Sequence, residues 1–276
     1  TEPPDWQAEN TPGENAESTM NLLPNGRHQI ELPIQGGHLC GDLDRRYGDF
    51  AILWIHGLGS HRGGEKAVAV RDECQHRGWS FAAFDFRGHG ESSGDILELT
   101  ASRLLADLRA IRDFLAAQGL QQLGLVGSSL GGFAAAWSAR QIPESVIGCV
   151  FLAPAFRFLE RRWQSLDAEQ QAAWRDSGRF RLHNDWIDVE LGYGLIEEQP
   201  LYRLEALAHG WAIPTLLFHG YNDTVVPWQE SRDFFEAAET SCLELHLFRD
   251  GDHRLTAYKQ EIAESVGRFF QQRLGE

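Results

Sequence analysis

Ser129 sits in Gly127-Ser128-Ser129-Leu130-Gly131, a G-x-S-x-G pattern between the apolar run Gly124–Val126 and the helix-forming Phe133-Ala134-Ala135-Ala136-Trp137. A serine on a sharp strand-to-helix turn has its hydroxyl exposed, and flanking side chains larger than glycine would clash there. The helix that begins at the turn directs its first amides, and the positive end of its dipole, toward developing negative charge. The chemistry this suits is nucleophilic attack on a carbonyl. Without that context the pattern is a glycine-rich turn with an incidental serine. Ser128 is the alternative hydroxyl, outside the central position.

A serine nucleophile needs a base, and the base needs an orienting carboxylate. Of the eleven histidines, His253 stands in Asp250-Gly251-Asp252-His253, between the apolar run Leu243–Phe248 and a helical pattern. Asp223 lies in Gly220-Tyr221-Asn222-Asp223-Thr224-Val225-Val226-Pro227, just after the run Thr215–His219. The chain order serine, acid, histidine fits, and Ser129, Asp223 and His253 are the expected triad. Asp252 competes as the acid, but adjacent loop residues seldom face each other productively. His56, at the end of a strand, reads as a structural hydrogen-bonding residue. His89, in Arg87-Gly88-His89-Gly90-Glu91-Ser92, belongs to a turn ordered by Asp85 and Arg87.

The elements that must present these residues follow from periodicity. Apolar runs at Phe50–Ile55, Phe81–Phe86, Gly124–Val126, Ile147–Leu152, Thr215–His219 and Leu243–Phe248 alternate with helical patterns. That alternation marks a parallel α/β sheet, with strands buried on both faces and helices covering them. His28–Leu43, with Gly36-Gly37, reads as an antiparallel hairpin at the start of the sheet. Leu104, Leu108, Ile111 and Leu115 share one helical stripe, as do Leu255, Tyr258, Ile262, Val266, Phe269 and Phe270 in the last helix.

From Pro154 to about Ile213 the alternation stops. The stretch has helical pieces, no clear strand, and Trp163, Trp174, Trp186 and Trp211. A structureless loop of that length is improbable in a compact domain. The expected organisation is an arm over 1–20, a core over 21–153 and 214–276, and a helical cap over 154–213. The cap would cover the C-terminal strand edge, where open α/β sheets bind ligands. Trp163 and Trp186 are candidate substrate-binding residues, while Arg157, Arg161 and Arg162 read as a solvated helix face.

The formal net charge of −15 gives a field that repels nucleic acid and anionic membranes. The expected partner is a small molecule. The longest apolar runs are too short to span a bilayer, and the arm lacks the apolar stretch of a signal peptide. Cys40, Cys74, Cys149 and Cys242 show no metal-ligand spacing, and neither a metal nor a cofactor is implied. Cys149 and Cys242 fall in apolar runs and read as buried thiols, which suits a reducing, cytoplasmic setting.

The chain resembles the α/β-hydrolase superfamily over roughly 29–274. The likeness is carried by His56-Gly57, Asp85 through Ser92, the Ser129 turn, His219-Gly220 with Asp223, and Asp252-His253-Arg254. Gly64-Glu65-Lys66-Ala67 and Val226-Pro227-Trp228 bring it closer to the mitochondrial acyl-protein thioesterase group and its bacterial relatives. The resemblance implies a serine hydrolase acting on a carboxylic ester or thioester, with a short helical cap. It implies oxyanion donors at the backbone amides of Leu58 and Leu130. Gly57 and His61, in the glycine-rich loop after Phe50–Ile55, are further candidate substrate-binding residues. A peptidase or amidase with the same triad is the alternative. A ligand receptor built on this fold with an idle serine is another.

Overall fold

The hairpin at the start of the sheet forms as the sequence indicates. β1 (Gly26–Ile34) and β2 (Gly37–Arg45) pair antiparallel, with Ile34 opposite Gly37 and Gly36 turning the chain at φ 85°. The computed structural model describes residues 22–183 and 187–275, so the arm over 1–20 and Trp186 lie outside the described residues.

Strand and helix then alternate through β3 (Phe50–Ile55), α1 (Glu65–Arg77), β4 (Ser80–Phe84), α2 (Ala101–Ala117), β5 (Gln122–Ser128), α3 (Leu130–Gln141) and β6 (Val146–Leu152). The insertion contains α4 (Phe158–Gln164), α5 (Ala168–Ser177), β7 (Arg179–His183), β8 (Asp188–Gly192), α6 (Gly194–Glu197) and α7 (Leu204–Ala208). The core resumes with β9 (Thr215–Gly220), α8 (Gln229–Ala237), β10 (Leu243–Phe248) and α9 (Lys259–Leu274). The main sheet runs β1-β2-β4-β3-β5-β6-β9-β10. β2 is antiparallel to both its neighbours, and every pairing from β4 across to β10 is parallel.

The unbroken apolar runs have a direct cause. In β3, Ala51, Leu53 and Ile55 join the core shared with α2 and α3, whereas Ile52 and Trp54 join the core shared with α1 and α9. Successive side chains point to opposite faces, and helices cover both, so every position is apolar. In α2 the stripe Leu104, Leu108, Ile111 and Leu115 is buried. Its first turn is capped by Thr100, whose side chain accepts the Arg103 amide.

Four expectations are corrected. The insertion is not wholly helical: β7 and β8 make an antiparallel hairpin, with Phe180 opposite Leu191 and Leu182 opposite Val189. Gly178, left-handed at φ 70°, ends α5 and starts the hairpin, and Phe180 stacks on buried Trp174 at 4.7 Å. Leu255 is not helical, because Asp252 Oδ1 accepts its amide at 2.9 Å and holds it at φ 53°; α9 begins at Lys259. Asp85 and Phe86 lie beyond the end of β4. Cys149 is buried, but Cys242 is exposed, since it precedes the edge strand β10.

Candidate active site

Three strand ends deliver the site. Ser129 follows β5 and opens α3 with φ 55° and ψ −118°, a conformation that lifts its side chain out of both elements. The turn tolerates nothing larger at its flanks. A Cβ on Gly127 would stand 2.4 Å from Gly131 O, and one on Gly131 would stand 2.1 Å from Ile55 O. The Ser129 amide donates to Leu152 O at 2.9 Å, and the Ser129 carbonyl accepts Ala155 N at 3.1 Å, which ties the turn to the end of β6.

His253 Nε2 is 3.0 Å from Ser129 Oγ, and its Nδ1 is 2.7 Å from Asp223 Oδ2. Asp223, just past β9, has a buried side chain and accepts the amides of Val225 and Val226 at Oδ1, each at 2.8 Å. Burial raises a carboxyl pKa, but hydrogen bonds from His219, His253 and Val226 outweigh it and hold Asp223 well below the usual carboxylate range. It is ionised when His253 faces it. Asp252 points elsewhere, to the Leu255 amide.

Gly57 packs against the serine turn, where a Cβ would meet Ser128 O at 3.1 Å and Ser129 Cβ at 3.2 Å. Leu58 follows it, and Leu130 is the first residue of α3, where a helix offers its amide no carbonyl of its own, while Gly132 N and Phe133 N turn back to Ser129 O at 2.9 and 3.2 Å. His56 fixes this loop. Its Nδ1 donates to Gly57 O at 2.8 Å and its Nε2 accepts Phe86 N at 3.1 Å. Burial, with His89 adjacent, pushes the His56 imidazole down to about 4, so it stays neutral. Asp85 accepts the amides of Arg62 and Glu91, and Arg87 pairs with Asp107, so this turn is ordered as its residues suggest.

A cavity of about 300 Å³ opens beside Ser129 and His253, walled by Leu58, His61, Lys66, Ile187 and Arg254. Lys66 and Arg254 carry no site role in the sequence reading beyond their motifs. Burial, and behind it Arg254, pushes the Lys66 amine down to about 8, while its Nζ donates to Arg254 O at 2.5 Å. Ile187 of the cap reaches over Gly59, where a Cβ would meet it at 3.4 Å. Trp163 does not join this wall. It packs inside the cap against Trp174 and Tyr193, at 6.3 and 6.0 Å, because the hairpin gives these rings a common face. Trp186, the other tryptophan candidate, is outside the described residues.

Two of the expected solvated arginines are tied down instead. Arg157 pairs with Asp233 and Glu205, each at 2.8 Å, and Arg161 pairs with buried Glu230, joining α4 of the cap to α7 and α8. A further histidine, His219, contacts Asp223 at 3.1 Å. Its sequence signals are the His219-Gly220 motif and its place four residues before the acid, neither of which gave it a role.

The family model described as serine aminopeptidase, S33, a hydrolase family, matches residues 49–180 and 181–260. The chain belongs to this family. It is 33% identical over 207 residues to mouse palmitoyl-protein thioesterase ABHD10, mitochondrial, covering 74% of this chain and 69% of that one. The solved structure of mouse α/β-hydrolase domain-containing protein 10 superposes with a TM-score of 0.80 at 27% identity, covering 89% of this chain and 99% of that one. Est1E from Butyrivibrio proteoclasticus, solved with ferulic acid bound, shares the fold at a TM-score of 0.78 and 20% identity, over 90% and 100% of the two chains. This member of the α/β-hydrolase family is therefore a hydrolase with the fold its motifs imply. Among its described residues no helix is long and apolar enough to cross a membrane.

Proposed function

We propose that the chain hydrolyses a carboxylic ester or thioester through an acyl-enzyme intermediate, with Ser129, His253 and Asp223 as the triad. The observation that carries this reading is one imidazole bridging Ser129 Oγ and Asp223 Oδ2 at 3.0 and 2.7 Å. Ser129 Oγ bonds to the carbonyl carbon while its proton passes to His253 Nε2. Asp223 holds the ring in the tautomer that can accept and stabilises the imidazolium. The amides of Leu58 and Leu130 receive the oxyanion, worth about 3 kcal/mol per donor. The alcohol or thiol departs with the proton from His253, and a water deprotonated by the same ring then releases the acid.

Gly57 and His61 line the substrate's approach, and Ile187 brings the cap over 154–213 to the same cavity. The name of the mouse relative, a palmitoyl-protein thioesterase, favours ester or thioester over peptide bonds. A reducing, cytoplasmic compartment suits four free cysteines.

The test pairs fluorophosphonate labelling with turnover of p-nitrophenyl esters, an acyl thioester and an aminoacyl anilide. Ser129→Ala should abolish labelling and lower kcat at least about 10⁴-fold. A variant keeping more than a tenth of wild-type activity means the nucleophile is elsewhere. Preference for the anilide would make the chain an amidase.

A further inference from the structure

Asp223 is gripped by more than its role toward His253 requires. Its Oδ2 accepts two imidazoles: His253 Nδ1 at 2.7 Å, on the solvent side, and His219 Nε2 at 3.1 Å, from the core. The His253 side chain is 18% exposed and that of His219 is 0% exposed. His219 Nε2 also stands 3.0 Å from the carbonyl of Val226, which can only accept. The proton of the neutral ring is therefore on Nε2, and Nδ1 is an acceptor. It faces Ser231 Oγ at 2.7 Å, which donates.

The result is a mirrored chain of five side chains. Ser129 donates to His253 and His253 to Asp223; on the inner side Ser231 donates to His219 and His219 to the same Asp223 oxygen. The outer serine is reachable from the cavity, whereas Ser231 is fully buried in α8. The residue before it, Glu230, accepts Arg157 N at 2.9 Å and pairs with Arg161, which anchors this turn of α8 to the cap helix α4. Ser231 is thus seated by the fold.

We infer that His219, with its tautomer set by Ser231, is a positioning residue of the reaction. It holds Asp223 ionised and oriented while His253 carries the proton. Its donor keeps Oδ2 in the plane of the His253 ring and weakens that oxygen as a base, so the proton stays on His253 and returns to the leaving group. The inference rests on the triad reading above.

The experiment measures kcat, KM and Tm of the full chain on p-nitrophenyl acetate, with Ser129→Ala as control. The variants are His219→Phe, His219→Gln, Ser231→Ala and the double variant His219→Gln/Ser231→Ala. Removing a hydrogen bond to a charged group should lower kcat of His219→Phe about 10- to 100-fold, with KM within about twofold of wild type. His219→Gln places an amide N–H near the Nε2 position and should recover activity to within about fivefold of wild type. Ser231→Ala should cost about 3- to 10-fold alone but less than about twofold beside His219→Gln, because an amide has no tautomer to set. The low-field N–H proton resonance of His253 should move in His219→Phe and Ser231→Ala and return in His219→Gln. A folded His219→Phe enzyme within about twofold of wild-type kcat overturns the inference. So does a Ser231→Ala loss of equal size in both backgrounds. Should His219→Phe fail to fold, the Ser231→Ala and His219→Gln cycle decides alone. An active Ser129→Ala enzyme would instead overturn the triad reading itself.

Discussion

His253 Nδ1 donates to Asp223 Oδ2 at 2.7 Å across 30 residues of chain, while Asp252, its immediate neighbour, turns Oδ1 to the Leu255 amide at 2.9 Å. The two carboxylates therefore do different work. Asp223→Asn should lower kcat about 10⁴-fold, because the ring takes the wrong tautomer. Asp252→Asn keeps an acceptor for Leu255 and should cost less than about tenfold. Steady-state kinetics on one ester compares them. Equal or reversed losses would assign the acid to Asp252.

The serine turn is closed by backbone on backbone. A Cβ on Gly131 would lie 2.1 Å from Ile55 O and 2.5 Å from His56 O, neither of which can swing away. Gly131→Ala should destabilise the fold by about 3 kcal/mol or more, at the upper end of overpacking effects, with loss of fluorophosphonate labelling. Urea midpoints read the first effect and gel fluorescence the second. A variant with wild-type midpoint and labelling would show that the turn has room.

Acid should weaken the fold through His56. Burial and the adjacent His89 push it down to about 4 in the folded chain, and burial lowers His89 as well. An unfolded histidine titrates near about 6.5, so between these values the unfolded state binds more protons. The contribution is complete above about pH 6.5 and is lost as the pH falls toward about 4, up to roughly 3 kcal/mol. Denaturant midpoints at pH 7 and pH 4.5 should separate for the wild type and converge for His56→Asn. Parallel decline of both would place the acid sensitivity in other groups.

Ile187 and Trp163 both belong to the cap, yet only Ile187 lines the cavity. Ile187→Ala should raise KM for a bulky acyl ester while leaving kcat on an acetyl ester within about twofold. Trp163→Ala removes a ring packed against Trp174 and Tyr193 and should lower Tm without altering the bulky-to-acetyl preference. A preference change in Trp163→Ala alone would put the acyl group inside the cap.

The sequence by itself determined the fold class and the identities of the three candidate side chains. The constraints behind them are local: the G-x-S-x-G turn needs glycines within two residues of Ser129, and β3, β5 and β6 declare burial on both faces by unbroken apolar runs. What the tertiary structure decided depends on partners remote in the chain. Phe180 and Leu182 alternate as a strand does, but five residues are too few to stand out until Leu191 and Val189 arrive opposite them. His219 looks like any buried strand histidine until α8 sets Ser231 against its far nitrogen, twelve residues on. Trp163 was legible as apolar, but its place in the cap interior required the packing of Trp174 and Tyr193 around it. A residue's type follows from its own position, whereas the direction of its hydrogen bonds follows from which groups the folded chain brings within about 3 Å.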